Sequence, residues 1–128
     1  MNQPTPLQHV NWDNVPMESL NPLLDRQLVV GERMMVARVL LKKGCLVPLH
    51  SHFNEQLTHI ESGALQFTIG GADITVRPGE WLVIPPNVPH SALALEDTVD
   101  IDVFTPPRQD WLDKTDQYLR DTTQRNPA

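Results

Sequence analysis

A chain of 128 residues has the length of one domain and buries about two-thirds of its unfolded surface, which excludes disorder for the bulk of it. Its 40% hydrophobic and 20% charged residues are ordinary for a soluble globular protein, and a net charge of −6 with only 10 dispersed basic residues argues against nucleic acid as a partner. A lone cysteine, Cys45, excludes an internal disulfide framework and fits a reducing compartment, and no stretch reads as a signal peptide or membrane span, so a cytoplasmic protein with no membrane partner is expected.

Taken in order, residues 1–26 are rich in proline and asparagine, with isolated apolar residues Val10, Trp12, Val15, Leu20, Leu23 and Leu24. This composition predicts an arm lying over the body of the protein or over a partner subunit. An arm that cannot bury its own apolar residues points to a homodimer. The 12 prolines and frequent turns predict an all-β body at 27–107. Strands are expected at 28–30 and 34–41 on either side of Gly31, and at 56–60 and 64–69 around Glu61-Ser62-Gly63. Further strands follow Gly70-Gly71 at 73–76 and lie at 81–84, 91–95 and 99–104, where Pro106-Pro107 stop the sheet. The remainder, 108–128, is expected to form a helix from Asp110 through Arg120 and a frayed tail. Trp111, Leu112, Thr115, Tyr118 and Leu119 would share its packing face.

The most informative residues are His50, His52 and His90. Imidazoles two apart on a strand point to one face, and the Pro-rich run 85–89 forms a rigid loop that delivers His90 to the same neighbourhood. Counting from His52 by strand alternation turns Gln56 inward and Glu55 outward, so the Gln56 side-chain oxygen is the expected fourth ligand. His59 falls on the other alternation and His9 lies in the arm, which sets both aside. Three neutral imidazoles and one oxygen suit Zn, Mn, Fe, Co or Ni, so one divalent transition metal ion is the expected cofactor. A neutral fourth ligand leaves the full charge of the ion available to anionic oxygens. The bland alternative, two polar strand histidines and a loop histidine, is the commoner meaning of His-x-His when it stands alone.

A second cluster follows. Asp100, Asp102 and Phe104 alternate onto one face of the last strand and Ile101 and Val103 onto the other, and either face suits the interior. If the apolar pair faces inward, both aspartates are merely solvated.

The spacing of Gly44, His50, His52 and Glu55 or Gln56, followed by Gly79, Pro85, Asn87 and His90, resembles the two motifs of the cupin family over about residues 28–107. Asn87 stands where that pattern has glycine, a mild change because asparagine tolerates the left-handed conformation. The resemblance implies a cupin double-stranded β-helix, or jelly-roll barrel, with an N-terminal arm and a short C-terminal helix. Ala94 to Asp97, Asp102, Phe104, Pro107, Arg108 and Asp110-Trp111-Leu112 narrow it to the small KdgF-type cupins of pectin and alginate breakdown. Departures are His59 in place of an aromatic tyrosine, Phe53-Asn54, and Gln109 in place of an acid.

That likeness implies ring opening and ketonisation of 4,5-unsaturated monouronates, a proton movement on a small anionic substrate without redox change. Asp102 is then the candidate proton shuttle and Phe104 a face for the sugar ring. Arg108 would be a fork for the substrate carboxylate, with Arg38 as a second anion-binding candidate. Because the same barrel hosts other chemistries, an iron-dependent dioxygenase and a non-catalytic small-molecule-binding cupin are the competing readings.

Overall fold

The computed structural model describes residues 5–120, and the expected C-terminal tail falls outside them. Alternation of side chains explains why two sheets close on each other. In β3 (Met35–Leu41), Met35, Ala37, Val39 and Leu41 are buried while Val36, Arg38 and Leu40 are less so. In β10 (Thr98–Thr105), Thr98, Asp100, Asp102 and Phe104 face inward. The first of the two faces weighed for this strand is therefore the interior one.

Among the described residues ten strands form two antiparallel sheets. The larger comprises β1 (Glu18–Asn21), β2 (Leu24–Val30), β3, β10, β5 (Glu55–Ser62) and β8 (Trp81–Ile84), in that spatial order. The smaller comprises β4 (Leu46–His50), β9 (His90–Ala94), β6 (Leu65–Ile69) and β7 (Ala72–Val76). Their inner faces enclose a core in which Met35, Ile60, Leu65, Phe67, Ile84 and Phe104 are each at most 3% exposed. The all-β jelly-roll expected from the sequence is the fold observed. No helix among the described residues is long and apolar enough to cross a membrane.

Two registers position the site. On the large sheet Phe104 pairs with Gln56, Asp102 with Thr58 and Asp100 with Ile60. On the small sheet His50 pairs with His90, after a bulge between Val47 and His50. Asn87, in the turn that leads to His90, has φ +66°, and its backbone N–H donates to the His52 carbonyl at 2.7 Å.

Two expected elements are corrected. The arm does not extend to residue 26: Glu18–Asn21 and Leu24–Val30 are already paired strands of the large sheet. Polar Glu18-Ser19-Leu20-Asn21 carries no apolar alternation, and a partner strand two residues away supplies the pairing. The Asn21 side chain accepts from the Leu23 N–H at 2.9 Å and tightens that turn. What precedes β1 is held by Gln27, whose side-chain amide donates to the carbonyls of Trp12 and Val15, each at 2.8 Å. The single helix from Asp110 to Arg120 is instead two short ones, α1 (Gln109–Leu112) and α2 (Gln117–Arg120), with Lys114 at φ +59° between them. Trp111 and Leu119 are buried as expected, whereas Leu112 and Thr115 are exposed.

Gly63 joins β5 to β6 at φ +87°, and a Cβ there would collide with the Asp97 carbonyl oxygen. Gly44 has a similar φ of +88° but open space around it. Gly63→Ala is therefore expected to destabilise the fold by about 3–5 kcal/mol and Gly44→Ala by only about 1 kcal/mol. Urea denaturation of the two variants checks this, and equal losses would mean that the collision relaxes without cost.

Candidate metal centre

His50 ends β4, His90 begins β9, and His52 lies in the loop between β4 and β5. His52 is thus off the strand on which the sequence placed it. The bulge and the loop, not strand alternation, bring it beside His50. Ring centroids are 4.3 Å apart for His50 and His90, 5.1 Å for His52 and His90, and 5.6 Å for His50 and His52. One ligand nitrogen from each falls within 4.8 Å of the others, close enough for the three to hold one metal ion.

The tautomers follow from the backbone. Nδ1 of His50 faces the Pro48 carbonyl at 2.7 Å, Nδ1 of His52 that of Asn54 at 3.0 Å, and Nδ1 of His90 that of Val88 at 2.8 Å. Burial above all, with the neighbouring positive groups adding to it, lowers the pKa of His50 to about 3 and of His52 to about 4, and lowers that of His90. The rings are therefore neutral, with one proton each. A carbonyl at Nδ1 claims that proton, so each Nε2 carries a free lone pair.

Gln56 completes the arrangement from β5. It is 5% exposed while Glu55 faces solvent, and its Oε1 lies 3.1 Å from the His52 Nε2. Two acceptors thus face each other with no proton between them, a contact that a cation resolves. The donor set fits a divalent transition metal by its chemistry as well as its spacing.

Behind Gln56 runs a buried polar chain. Its Nε2 donates to Thr58 Oγ1 at 2.9 Å, and Thr58 Oγ1 donates to Asp102 Oδ1 at 2.7 Å. Burial raises the pKa of Asp102, opposed by the hydrogen bonds it accepts. Asp100 lies next to it with its pKa pushed well up by burial and then by the charge of Asp102, and its Oδ1 has no hydrogen-bond partner.

Phe104 is 1% exposed. It meets His52 edge-on at 5.7 Å and Trp111 at 5.0 Å, and the Arg108 guanidinium lies over its ring at 5.1 Å. Arg108 is itself buried. Its Nε and Nη2 form a fork onto Asp110 at 3.0 and 2.9 Å, and Nη2 also donates to the Tyr118 hydroxyl at 2.8 Å. Arg108 therefore keeps only its Nη1 edge for another anion. His50, His90, Gln56, Asp102, Phe104 and Arg108 line a cavity of about 50 Å³ that also reaches Arg26 and Asp100.

Arg38 does not join the cluster. Between buried Ala37 and Val39 its side chain takes the outer face of the sheet, where it donates to Gln27 Oε1 at 2.9 Å and lines a surface hollow with Trp12 and Glu61. Arg38, the second anion-binding candidate, therefore lies on the opposite side of the sheet from the three histidines. His59 likewise lies outside, against Trp81 at 4.5 Å.

Sequence reasoning missed three participants. Thr58 was accessible by the alternation that placed Gln56, one strand step further on. Arg26, fully buried between Glu18 at 3.1 Å and Asp116 at 2.6 Å, had no local signal. Tyr118, which helical spacing makes a packing residue, stacks its ring on His50 at 4.6 Å.

The sequence profile of the cupin domain matches residues 37–104. No curated protein matches the sequence. Among solved structures, the chain is similar to an RmlC-like cupin from Shewanella frigidimarina NCIMB 400, with a TM-score of 0.78 and 22% identity over 85% of this chain and 99% of that one. It is also similar to KdgF from Halomonas sp., with a TM-score of 0.73 and 27% identity over 77% of this chain and 94% of that one. The polyketide cyclase RemF from Streptomyces resistomycificus superposes with a TM-score of 0.67 at 19% identity, over 78% of this chain and 79% of that one. At these identities the first and third show the fold alone.

A pH dependence follows from the neutral rings. Imidazoles in the unfolded chain titrate near their ordinary 6.5, and His50 in the folded state near 3. As the pH falls from 7 towards 4 the unfolded chain binds protons first, so the metal-free protein loses stability across that window. In His50→Asn the slope of stability against pH is expected to be shallower than in wild type. Urea midpoints at several pH values measure it, and parallel slopes would mean that His50 protonates as easily folded as unfolded.

Proposed function

The chain belongs to the cupin family, and from that premise we propose that it is a metal-dependent isomerase which opens and ketonises the ring of 4,5-unsaturated monouronates. His50, His52, His90 and Gln56 hold one divalent transition metal ion in this reading. The observation that carries it is the hydrogen-bonded path from Gln56 through Thr58 to Asp102, which joins a cation site to a buried carboxyl. The likeness to KdgF from Halomonas sp. supports the choice of substrate.

When bound, the ion supplies positive charge for a substrate carboxylate or developing enolate oxygen. The reaction is then a single proton relocation. The hemiacetal hydroxyl gives up its proton, the bond from the anomeric carbon to the ring oxygen breaks, and the double-bond carbon next to the enol carbon gains a proton as the enol carbon becomes the ketone. Nothing is oxidised or reduced. Asp102 is the group that accepts the first proton and returns the second, and its raised pKa brings it closer to neutral pH for that task. Arg108 offers its Nη1 edge to the substrate carboxylate, and Phe104 forms the wall beside it.

The enclosed space of about 50 Å³ holds only a few water molecules. In this reading a sugar acid needs more room than that, and the Tyr118 ring, stacked on His50 and bonded to Arg108, is the lining group that would have to give way.

The test is the loss of ultraviolet absorbance of an unsaturated monouronate, together with elemental analysis of the purified protein. Wild type is expected to contain about one transition metal ion per chain and to consume the substrate, and Asp102→Asn to lower kcat by about 10²–10⁴. Equal rates for the two proteins remove Asp102 from the chemistry. Tight uronate binding by wild type without turnover makes the protein a binding module.

A further inference from the structure

We propose that Thr58 is a positioning residue of the metal centre: its hydroxyl decides which end of the Gln56 amide faces the three imidazoles and couples that amide to Asp102. The inference rests on Gln56 as the fourth ligand, and it assigns a role to a residue that touches neither ion nor substrate.

The two ends of a carboxamide have nearly the same shape, so packing does not choose between them and the hydrogen-bond partners must. Gln56 is 5% and Thr58 0% exposed, which leaves no bulk water to satisfy a reversed amide. A threonine hydroxyl has one proton. With Asp102 as a carboxylate, that proton is directed to its Oδ1 at 2.7 Å, so towards Gln56 the hydroxyl oxygen accepts, and the group 2.9 Å from it is the amide nitrogen. The amide oxygen is thereby turned to the His52 Nε2 at 3.1 Å.

Reversal would set the Gln56 oxygen against the Thr58 oxygen with no proton to share. At the other end it would let the amide nitrogen donate to the His52 Nε2, filling the lone pair that a cation needs. In the metal-free protein that second contact is favourable, so the centre would tend to block itself. The Thr58 hydroxyl, oriented by Asp102, makes the reversed state costly. Threonine is thus more than a satisfied polar residue in a barrel wall, because its single proton is spent where it leaves the right end of the amide for the ion.

The experiment uses Co²⁺ as probe with full-length wild type, Thr58→Val and Thr58→Ser, reading the visible absorption of the bound ion and its affinity by chelator competition. Thr58→Val is expected to bind Co²⁺ about 10–100-fold more weakly with displaced absorption bands, and Thr58→Ser to restore both. A merely structural threonine would change the melting temperature of Thr58→Val and leave spectrum and affinity as in wild type, and that result overturns the proposal. Should Thr58→Val not fold, nuclear Overhauser contacts in metal-free wild type decide. Gln56 side-chain N–H protons close to Thr58 support the proposal, and the same protons close to the His52 ring defeat it. Wild type that binds no Co²⁺ removes the metal centre and the role of Thr58 together. A protein whose Co²⁺ affinity and spectrum respond to Thr58→Val as expected but which consumes no uronate removes only the substrate assignment.

Discussion

Each of the three imidazoles gives its only proton to a carbonyl two residues away in its own loop or strand end, and the architecture around the site serves that commitment. The carbonyls of Pro48, Asn54 and Val88 lie in segments held by other contacts. Pairing of β4 with β9 sets His50 against His90. The Asn87 N–H ties the Pro-rich loop to the backbone of His52, and the Asn54 side chain donates to the Pro106 carbonyl at 2.6 Å. Were any ring free to turn, its lone pair would leave the common point. The chain instead fixes donors on the outside of each ring and so leaves the acceptors inside, at the cost of gathering several acceptors in a half-buried space.

The same trade runs deeper in the barrel. Two aspartates share the inner face of β10, an arrangement that a purely structural core would avoid because neither carboxyl is well solvated there. Asp102 is offset by Thr58, and Asp100 keeps an oxygen without a partner. Alongside, Arg108 lies over the rings of both Phe104 and Trp111, at 5.1 and 4.7 Å from their centroids, and pairs with Asp110. A positive charge is thus kept close to three imidazoles without protonating them. It also contributes to the low pKa values of His50 and His52.

What could be read from sequence depended on how local the deciding force was. Strand β8 at Trp81–Ile84 stands where the turn residues on either side of it predict, because proline and glycine act within a few residues. Gln56 turns inward as expected, but its phase comes from alternation within β5, where Gln56, Thr58 and Ile60 are buried in turn, and not from the count begun at His52, which lies off the strand. By contrast, β1 has no pattern of its own and exists because β2 pairs with it. The inner face of β10 was undecidable because its two faces offered comparable claims, one apolar and one mixed. It was settled by partners on β3 and β5 that are distant in sequence. The segment after the break between α1 and α2, with Tyr118 stacked on His50, is held by long-range contacts of Asp116 and Leu119 with strands at the other end of the chain, which no local pattern announces.

Those contacts make the end of the described chain a working part of the molecule. Arg26 in β2 binds Asp116, Arg120 binds both Asp116 and Glu18, and the Asn21 side chain donates to the Leu119 carbonyl. The last turn is therefore riveted to the first two strands, with the Tyr118 ring resting on His50. Loosening that rivet would release the ring that covers His50, so ion pairs between the two ends of the fold bear on the histidine cluster without touching it.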